Sequence, residues 1–263
     1  MEKQRVLVLL AAGINRDRDA EDAFRLAGAD AERVHINDLA DKRKRLKDYQ
    51  ILMLPGGFSF GDDIASGKVL ANKLKYRLKD DILNFIADKK LILGVCNGFQ
   101  VMVKLGLLPG FAGEYMKQDV TLTHNDSGKF EDRWVYLKTN PLSKCVFTRG
   151  INRLIYVPVC HGEGKFIPRD DGVLERLKAG NQVVVQYVDE SGSFGAYPVN
   201  PNGSVEHIAG ICDETGRIFG MMPHPENYIL RTQHPRWTRE ALPDEGDGLA
   251  IFKNAVEYVN KEL

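Results

Sequence analysis

Three short stretches carry the residue types that do covalent chemistry. The first is Gly94-Val-Cys96-Asn-Gly98, preceded by the apolar run Leu91–Val95 and followed by helical spacing over Gly98–Leu105. A glycine two residues either side of a nucleophile, between a strand and a helix, is the pattern of a nucleophile elbow. The expected reason is steric: side chains at 94 and 98 would collide with Cys96 on a tight, strained turn. The turn lifts the sulfur at the carboxyl end of a strand, where α/β crevices lie. It also sets it at a helix N-terminus, whose peptide dipoles favour an anion. The Asn97 N–H then faces an incoming carbonyl oxygen. A G-x-C-x-G stretch alone is equally a packed structural cysteine; the flanking strand and helix favour the nucleophile.

A thiol nucleophile needs a base, and the base needs a group to orient its ring. Met222-Pro-His224-Pro-Glu226 follows the apolar run Ile218–Met222 and offers both. Each proline biases the residue before it away from helix, which predicts extended backbone at His224. Residues two apart then project to the same side, so Glu226 can fix the imidazole tautomer. The competing histidines His35, His124, His161, His207 and His234 lack a carboxylate in so rigid a relation. Glu163 does lie two residues after His161, but across the flexible Gly162. The third stretch, Leu54-Pro-Gly56-Gly57-Phe58, puts paired glycines after a strand. Glycines let a backbone N–H approach a ligand closely, so Gly57 is the candidate second oxyanion donor beside Asn97. This loop fits neither G-x-G-x-x-G nor G-x-x-x-x-G-K-[ST], which argues against ATP or NAD binding there.

These stretches must be held by a scaffold, and the first half of the chain spells one. Strands are expected at Arg5–Leu10, Arg33–Ile36, Ile51–Leu54 and Leu91–Val95, and helices at Asp19–Ala27, Val69–Ile86 and Gly98–Leu105. Strand and helix in alternation, with strands apolar throughout, predict an α/β fold. Its sheet is mainly parallel and doubly wound, with helices on both faces. From Phe111 to Ile218 strands dominate: Val120–Thr123, Trp134–Leu137, Leu154–Val157, Val183–Val188, His207–Ile211 and Ile218–Met222, with turn signals between them. These extra strands of the second half are expected to be antiparallel. A closing amphipathic helix is expected near Gly248–Lys261. With no repeat or linker visible, residues 1–263 read as one domain.

The 36 basic residues balance the 36 acidic ones, so nothing electrostatic calls for nucleic acid or an anionic membrane as partner. The basic run Lys42–Lys47 is flanked by Asp41 and Asp48 and reads as a solvated surface. Cys96, Cys145, Cys160 and Cys212 form no C-x-x-C pair, so neither a zinc site nor a disulfide framework is expected, and no metal is assigned. Cys145, Cys160 and Cys212 read as small hydrophobes. No apolar run nears the roughly 18 residues of a membrane span, and no secretory cleavage region follows Met1. A reduced, cytoplasmic protein is expected.

Taken together, the Pro55-Gly-Gly57 loop, the Gly94-Val-Cys-Asn-Gly-Phe-Gln100 elbow and the Met222-Pro-His-Pro-Glu226 segment resemble the triad, or class I, glutamine amidotransferases. Gly56-Gly-Phe-Ser-Phe-Gly-Asp-Asp63, His161-Gly-Glu-Gly-Lys165 and Tyr197-Pro-Val-Asn-Pro-Asn-Gly-Ser204 look like the glutaminase components of phosphoribosylformylglycinamidine synthase, over roughly Arg5 to Tyr258. The resemblance implies a flavodoxin-like fold and hydrolysis of L-glutamine through a Cys96 thioester. It implies that Gln100 helps hold the glutamine backbone and that His161, Gly162, Glu163 and Gly164 lie near the substrate. Ammonia would pass to a large synthetase subunit that uses ATP and magnesium to convert formylglycinamide ribonucleotide to its amidine in purine biosynthesis. A small third subunit is implied too, and no cofactor in this chain. Two departures stand out: Asn227 where many relatives carry Arg, and a longer Tyr228–Asp247 stretch, read as a loop covering the sheet edge or a partner contact. Two other readings stay open. A stand-alone cysteine hydrolase would share the triad and need no partner. A non-enzymatic interaction protein would have lost a triad residue, and all three are present.

Overall fold

A computed structural model describes residues 3–263. Nine strands form one sheet in the order β2-β1-β3-β4-β11-β10-β9-β6-β7. Its parallel part comprises β1 (Arg5–Leu10), β2 (Asp30–His35), β3 (Ile51–Leu54), β4 (Leu91–Val95) and β11 (Ile218–Met221). Its antiparallel part comprises β10 (Ile208–Cys212), β9 (Val183–Val188), β6 (Glu131–Thr139) and β7 (Ile155–His161). A separate hairpin pairs β5 (Val120–Thr123) with β8 (Lys165–Pro168). β3 and β4 are buried at every position, as strands covered on both faces must be. β7 alternates instead, with Ile155, Val157, Val159 and His161 inward.

Helices α1 (Asp17–Leu26) and α6 (Leu249–Glu262) pack on each other, with Phe24 edge-on to Phe252 at 5.0 Å. On the other face α3 (Lys68–Ala87) packs on α4 (Asn97–Leu105). α3 buries Leu70, Leu74, Leu78, Ile82 and Phe85, the i, i+4 stripe read from the sequence. The mixed α/β architecture is the expected one. β1 lies between β2 and β3, so the chain reverses direction across the sheet there, and the loops after β1 and β3 meet at the Ile14–Gly57 bridge.

Three elements escaped the sequence reading: β8, the short α2 (Ile36–Ala40) and α5 (Asp171–Ala179). Ile36, expected to end β2, opens α2 because the His35 side chain accepts a hydrogen bond from Asn37 N. α5 is capped by Asp170, whose carboxylate accepts from Val173 N at 2.8 Å. The basic run is exposed and paired with acids, Lys42 with Asp81 and Arg43 with Asp38 among them. The 228–247 stretch lies against β6 and β7 at the sheet edge. Its His234 is buried among Trp134, Tyr156 and Tyr228, and Asp247 accepts the edge N–H of Tyr156 at 2.9 Å.

Candidate active site

Cys96 stands between β4 and α4 with φ 51° and ψ −108°, a conformation L-residues rarely adopt. It is anchored from both sides: its N–H donates to Met221 O at 2.8 Å, and its carbonyl accepts from Gln100 N at 3.0 Å. The flanking glycines are required for a reason other than the expected one. A Cβ on Gly98 would stand 1.8 Å from Leu54 O on β3. A Cβ on Gly94 would meet Met102 Sδ at 2.2 Å and the Gly98 backbone at 2.9 Å. The collisions are with the neighbouring strand and with the helix itself, because the elbow presses α4 onto β3 and β4; they are not with Cys96. The thiol is 5% exposed and faces Cys160 O at 3.5 Å.

His224 and Glu226 are buried beside it, and His224 Nδ1 lies 2.7 Å from Glu226 Oε1. The backbone route differs from the extended one expected. His224 has φ −101° and ψ 88°, and Pro225–Asn227 make a single 3₁₀ turn with proline at its start. Pro225 suits that first position because its fixed φ matches the turn and no N–H is needed there. The turn, not strand alternation, brings the carboxylate back to the ring. His224 N donates to Pro158 O at 2.8 Å, pinning the turn to β7. Burial alone would lower the proton affinity of the ring, but Glu226 and Cys96 outweigh it and raise its pKa well above the usual value. Nδ1 is engaged by Glu226, while Nε2 has no protein hydrogen-bond partner and is the nitrogen left for the thiol side.

The glycine pair after β3 abuts this histidine. A Cβ on Gly56 would lie 2.8 Å from His224 Cε1. Gly57, at φ 143°, packs against the β1–α1 loop, where a Cβ would come within 2.8 Å of Asn15 N, Gly13 O and Ile14 Cα. Phe58 N donates to Gly13 O at 2.8 Å and Arg16 N to Gly56 O at 3.2 Å, which leaves the Gly57 N–H outside this ladder. The Asn97 N–H opens α4, where no helix carbonyl lies four residues back to receive it. Asn227 donates to Asp19 Oδ2 at 3.1 Å, and Arg16 pairs with the same carboxylate at 3.2 Å. The third position after His224 is thus tied to the loop that holds the glycines.

The turn after β7 completes the surroundings. Gln100 spends its side chain within the protein: Nε2 donates to Glu163 O at 2.7 Å, and Oε1 accepts from Asn97 Nδ2 at 2.9 Å. His161 is buried, with Nδ1 3.1 Å from Asn125 Oδ1 and Nε2 3.5 Å from Asn202 Nδ2. Burial first, then the nearby charge of His224, pushes its pKa down to about 3, so the ring is neutral. Gly164 packs on its face; a Cβ there would lie 2.3 Å from Cε1. Gly162 passes next to Phe130, which stacks on Phe58 at 6.2 Å. The Glu163 carboxylate accepts from Ser66 N at 3.2 Å.

The sequence did not reveal what holds this turn. Asn202 donates to Gly164 O at 2.9 Å and to Tyr187 Oη at 3.2 Å, while Ser204 Oγ accepts from Phe166 N at 2.9 Å. The Tyr197–Ser204 motif is thereby a prop under residues 161–166. Asn125, first read only as a turn former, donates to His161 O and accepts from Gly164 N. Cys160 also departs from its reading as a plain hydrophobe: it is half-buried, near both Cys96 and His224, and burial raises its thiol pKa. All four cysteines are free, and among the described residues no His, Cys, Asp or Glu cluster could hold a metal. No described helix is long and apolar enough to cross a membrane.

A cysteine on a strained elbow, a buried His–Glu pair and a glycine loop have the geometry that thiol-based acyl transfer requires. Residues 3–259 match the CobB/CobQ-like glutamine amidotransferase domain. The chain belongs to this glutamine amidotransferase family. The amidotransferase is 49% identical over 262 residues to "Phosphoribosylformylglycinamidine synthase subunit PurQ" of Dehalococcoides mccartyi, covering 99% of this chain and 100% of that one. It is 47% identical to the subunit of that name from Methanococcus maripaludis, covering 98% of each chain. Among solved structures it resembles a chain of "Structure of PurLQS from Thermotoga maritima", at 31% identity and TM-score 0.74, covering 98% of this chain and 99% of that one.

Proposed function

We propose that this amidotransferase is the glutaminase subunit of a phosphoribosylformylglycinamidine synthase, working as a single domain with Cys96, His224 and Glu226 as its triad. The observation that carries the reading is the buried His224–Glu226 pair beside a strained Cys96, in a chain alike over its whole length to PurQ subunits. The Cys96 sulfur attacks the side-chain amide carbon of L-glutamine, and His224 Nε2 takes the thiol proton. The N–H groups of Gly57 and Asn97 receive the oxyanion of the tetrahedral intermediate; one such donor is worth about 10²–10³ in rate. His224 returns its proton to the departing nitrogen, ammonia leaves, and a γ-glutamyl thioester remains on Cys96. Water, deprotonated by His224, then attacks the thioester carbonyl; the C–S bond breaks, glutamate is released and the thiol is restored. Glu226 holds the ring so that Nε2 faces the sulfur throughout.

Gln100 and the turn of His161, Gly162, Glu163 and Gly164 border the glutamine in this reading. The 3.5 Å approach of Cys96 Sγ to Cys160 O supports that placement, since it sets the turn beside the nucleophile. Because Gln100 and His161 spend their polar atoms inside the protein, they shape the wall, and backbone groups of the turn meet the substrate. Ammonia passes to a large synthetase subunit that uses ATP and magnesium, with a small third subunit in the assembly. The PurLQS resemblance supports a multi-subunit setting, and the free thiols fit a reducing cytoplasm.

The test is glutamate release by this chain alone and with its synthetase, ATP and formylglycinamide ribonucleotide. Strong stimulation by the partner is expected. Cys96→Ala should abolish glutamine hydrolysis and leave amidine formation from added ammonia intact. Substantial glutamate release by Cys96→Ala would remove Cys96 from its role, and high activity indifferent to the partner would favour a stand-alone hydrolase.

A further inference from the structure

Beside the elbow lies a cluster of sequestered charge that the chemistry at Cys96 does not use. The side chain of Lys104, on α4, is only 7% exposed. Its ammonium donates to Leu122 O at 3.4 Å and lies 3.8 Å from Glu163 Oε2. The Glu163 carboxylate accepts from Ser66 N through both oxygens, at 3.2 and 3.3 Å. Ser66 closes a strap, residues 58–67, that begins immediately after Gly57. Near its start, Ser59 N donates to Asn97 Oδ1 at 3.2 Å, and in its middle Asp62 accepts from Asn97 Nδ2 at 3.1 Å.

The strap does not hold its shape by its own backbone preference. Phe60, Asp62 and Ile64 have φ of 55°, 54° and 73°, each unfavourable for a residue with a side chain. Ile64 at the tip is 88% exposed, so packing does not fix it. Phe58 N and Phe60 N tie the start of the strap to Gly13 O and Ala12 O, at 2.8 and 2.7 Å, and Asn97 and Glu163 hold the rest. Glu163 is also tied to the elbow helix through its carbonyl, which accepts from Gln100 Nε2 at 2.7 Å. One residue thus joins the elbow, the strap and the turn after β7. Burial raises the Asp62 pKa, and the nearby charge of Glu163 adds to that rise, against hydrogen bonds that favour the carboxylate. Lys104 is the buried cation facing both. Burial lowers its pKa, the two carboxylates oppose that, and Lys68 is the like charge nearby.

We infer that Lys104 and Glu163 form a latch that holds the 58–67 strap, and through it the Gly57 loop, in the geometry needed for turnover. The inference rests on the glutaminase reading above. Glu163 is a positioning residue: its carboxylate faces Ser66, and it acts on the reaction through the strap. Such a latch affects transition-state stabilisation more than substrate affinity, because the strap leads into the oxyanion loop.

The experiment uses the assembled synthase with Glu163→Gln, Lys104→Met and the double variant, whose latch is uncharged. Glutamine-dependent kcat and KM, ammonia-dependent amidine formation and Tm are measured together. Each single variant is expected to lower glutamine-dependent kcat by about tenfold or more while KM moves by less than about threefold. The ammonia-dependent rate should stay at the wild-type level. The double variant should lose less than the product of the single losses, since the two charges act as one unit. Single variants that lower Tm yet keep kcat within about twofold of wild type would show a structural pair only and overturn the latch, as would strictly multiplicative losses. If a single variant fails to fold, Glu163→Asp, which keeps the charge and withdraws it from Ser66, takes its place under the same two readings. A wild-type complex that releases no glutamate would overturn the glutaminase reading instead.

Discussion

Two buried histidines lie near Cys96, each followed two residues later by a glutamate, and they end in opposite electrical states. In His224-Pro-Glu226 the carboxylate curls back to the ring at 2.7 Å, and the imidazole pKa rises. In His161-Gly-Glu163 the carboxylate swings away to Ser66, the ring meets only the amides of Asn125 and Asn202, and the pKa falls to about 3. Burial is the same in both, so the partner decides. What selects the partner is the residue between. Pro225 starts a 3₁₀ turn that returns the side chain two residues on, whereas Gly162 sets no such path. A base needs its charged form stabilised. A wall of the site needs a ring that stays neutral while a cationic imidazole works nearby.

The largest expected effect comes from erasing that contrast at His224. Glu226→Gln gives this histidine the amide environment of His161. The pKa of the ring should drop and its tautomer should no longer be enforced. Glutamine-dependent kcat should fall by up to about 10⁴-fold, the scale seen when a triad carboxylate becomes an amide, and less than in Cys96→Ala. Stopped-time glutamate assays on the complex check this. A wild-type rate would mean that Glu226 does not orient the base.

The next effect probes how tightly the other histidine is boxed. Gly164→Ala would place a methyl 2.3 Å from Cε1 and 2.4 Å from Nδ1 of His161. That ring cannot swing aside without leaving Asn125, so the turn must move. Overpacking of this kind costs about 1–3 kcal/mol of stability. Urea unfolding of the folded variant should show a lower midpoint with unchanged slope. An unchanged midpoint would mean that the turn is softer than its hydrogen bonds imply.

How much of this contrast could be read in the sequence depends on how local its causes are. Cys96, His224 and Gly57 announce themselves because the constraint and the functional residue sit within a few positions: glycines at 94 and 98, prolines at 223 and 225, a glycine pair after a strand. The continuous apolar runs of β3 and β4 were legible for the same reason, and their expected bounds match those observed. The surroundings of His161 were not legible, since its partners come from 36 and 41 residues away along the chain. Asn125 looks like any turn former and Asn202 like any loop amide until the hairpin and β7 bring them together. The Tyr197–Ser204 motif was visible as a pattern, but its task under the turn is a tertiary fact. β8 and α5 escaped because each is short and its signal is diluted, by Pro168 in one and by Gly172 inside the helix and Gly180 just after it in the other.

The smallest effect is the pH signature of a histidine kept neutral. With the His161 pKa pushed down to about 3 in the folded protein and near 6.5 in the unfolded chain, the unfolded state binds the extra proton between those values. Stability contributed at neutral pH is therefore lost as pH falls below about 6.5. The slope approaches one proton, about 1.4 kcal/mol per pH unit, towards pH 5. His224 works in the opposite sense: its raised pKa adds stability at low pH, which is lost as pH rises through the folded value. Comparing wild type with His161→Gln separates the two, because the substitution leaves the His224–Glu226 pair in place. Unfolding free energies at pH 7, 6 and 5 should fall more steeply in wild type than in the variant, by a difference that grows towards pH 5. Parallel lines for the two proteins would mean that His161 takes up its proton in the folded state, and that a buried ring between two amides beside the triad is not kept neutral after all.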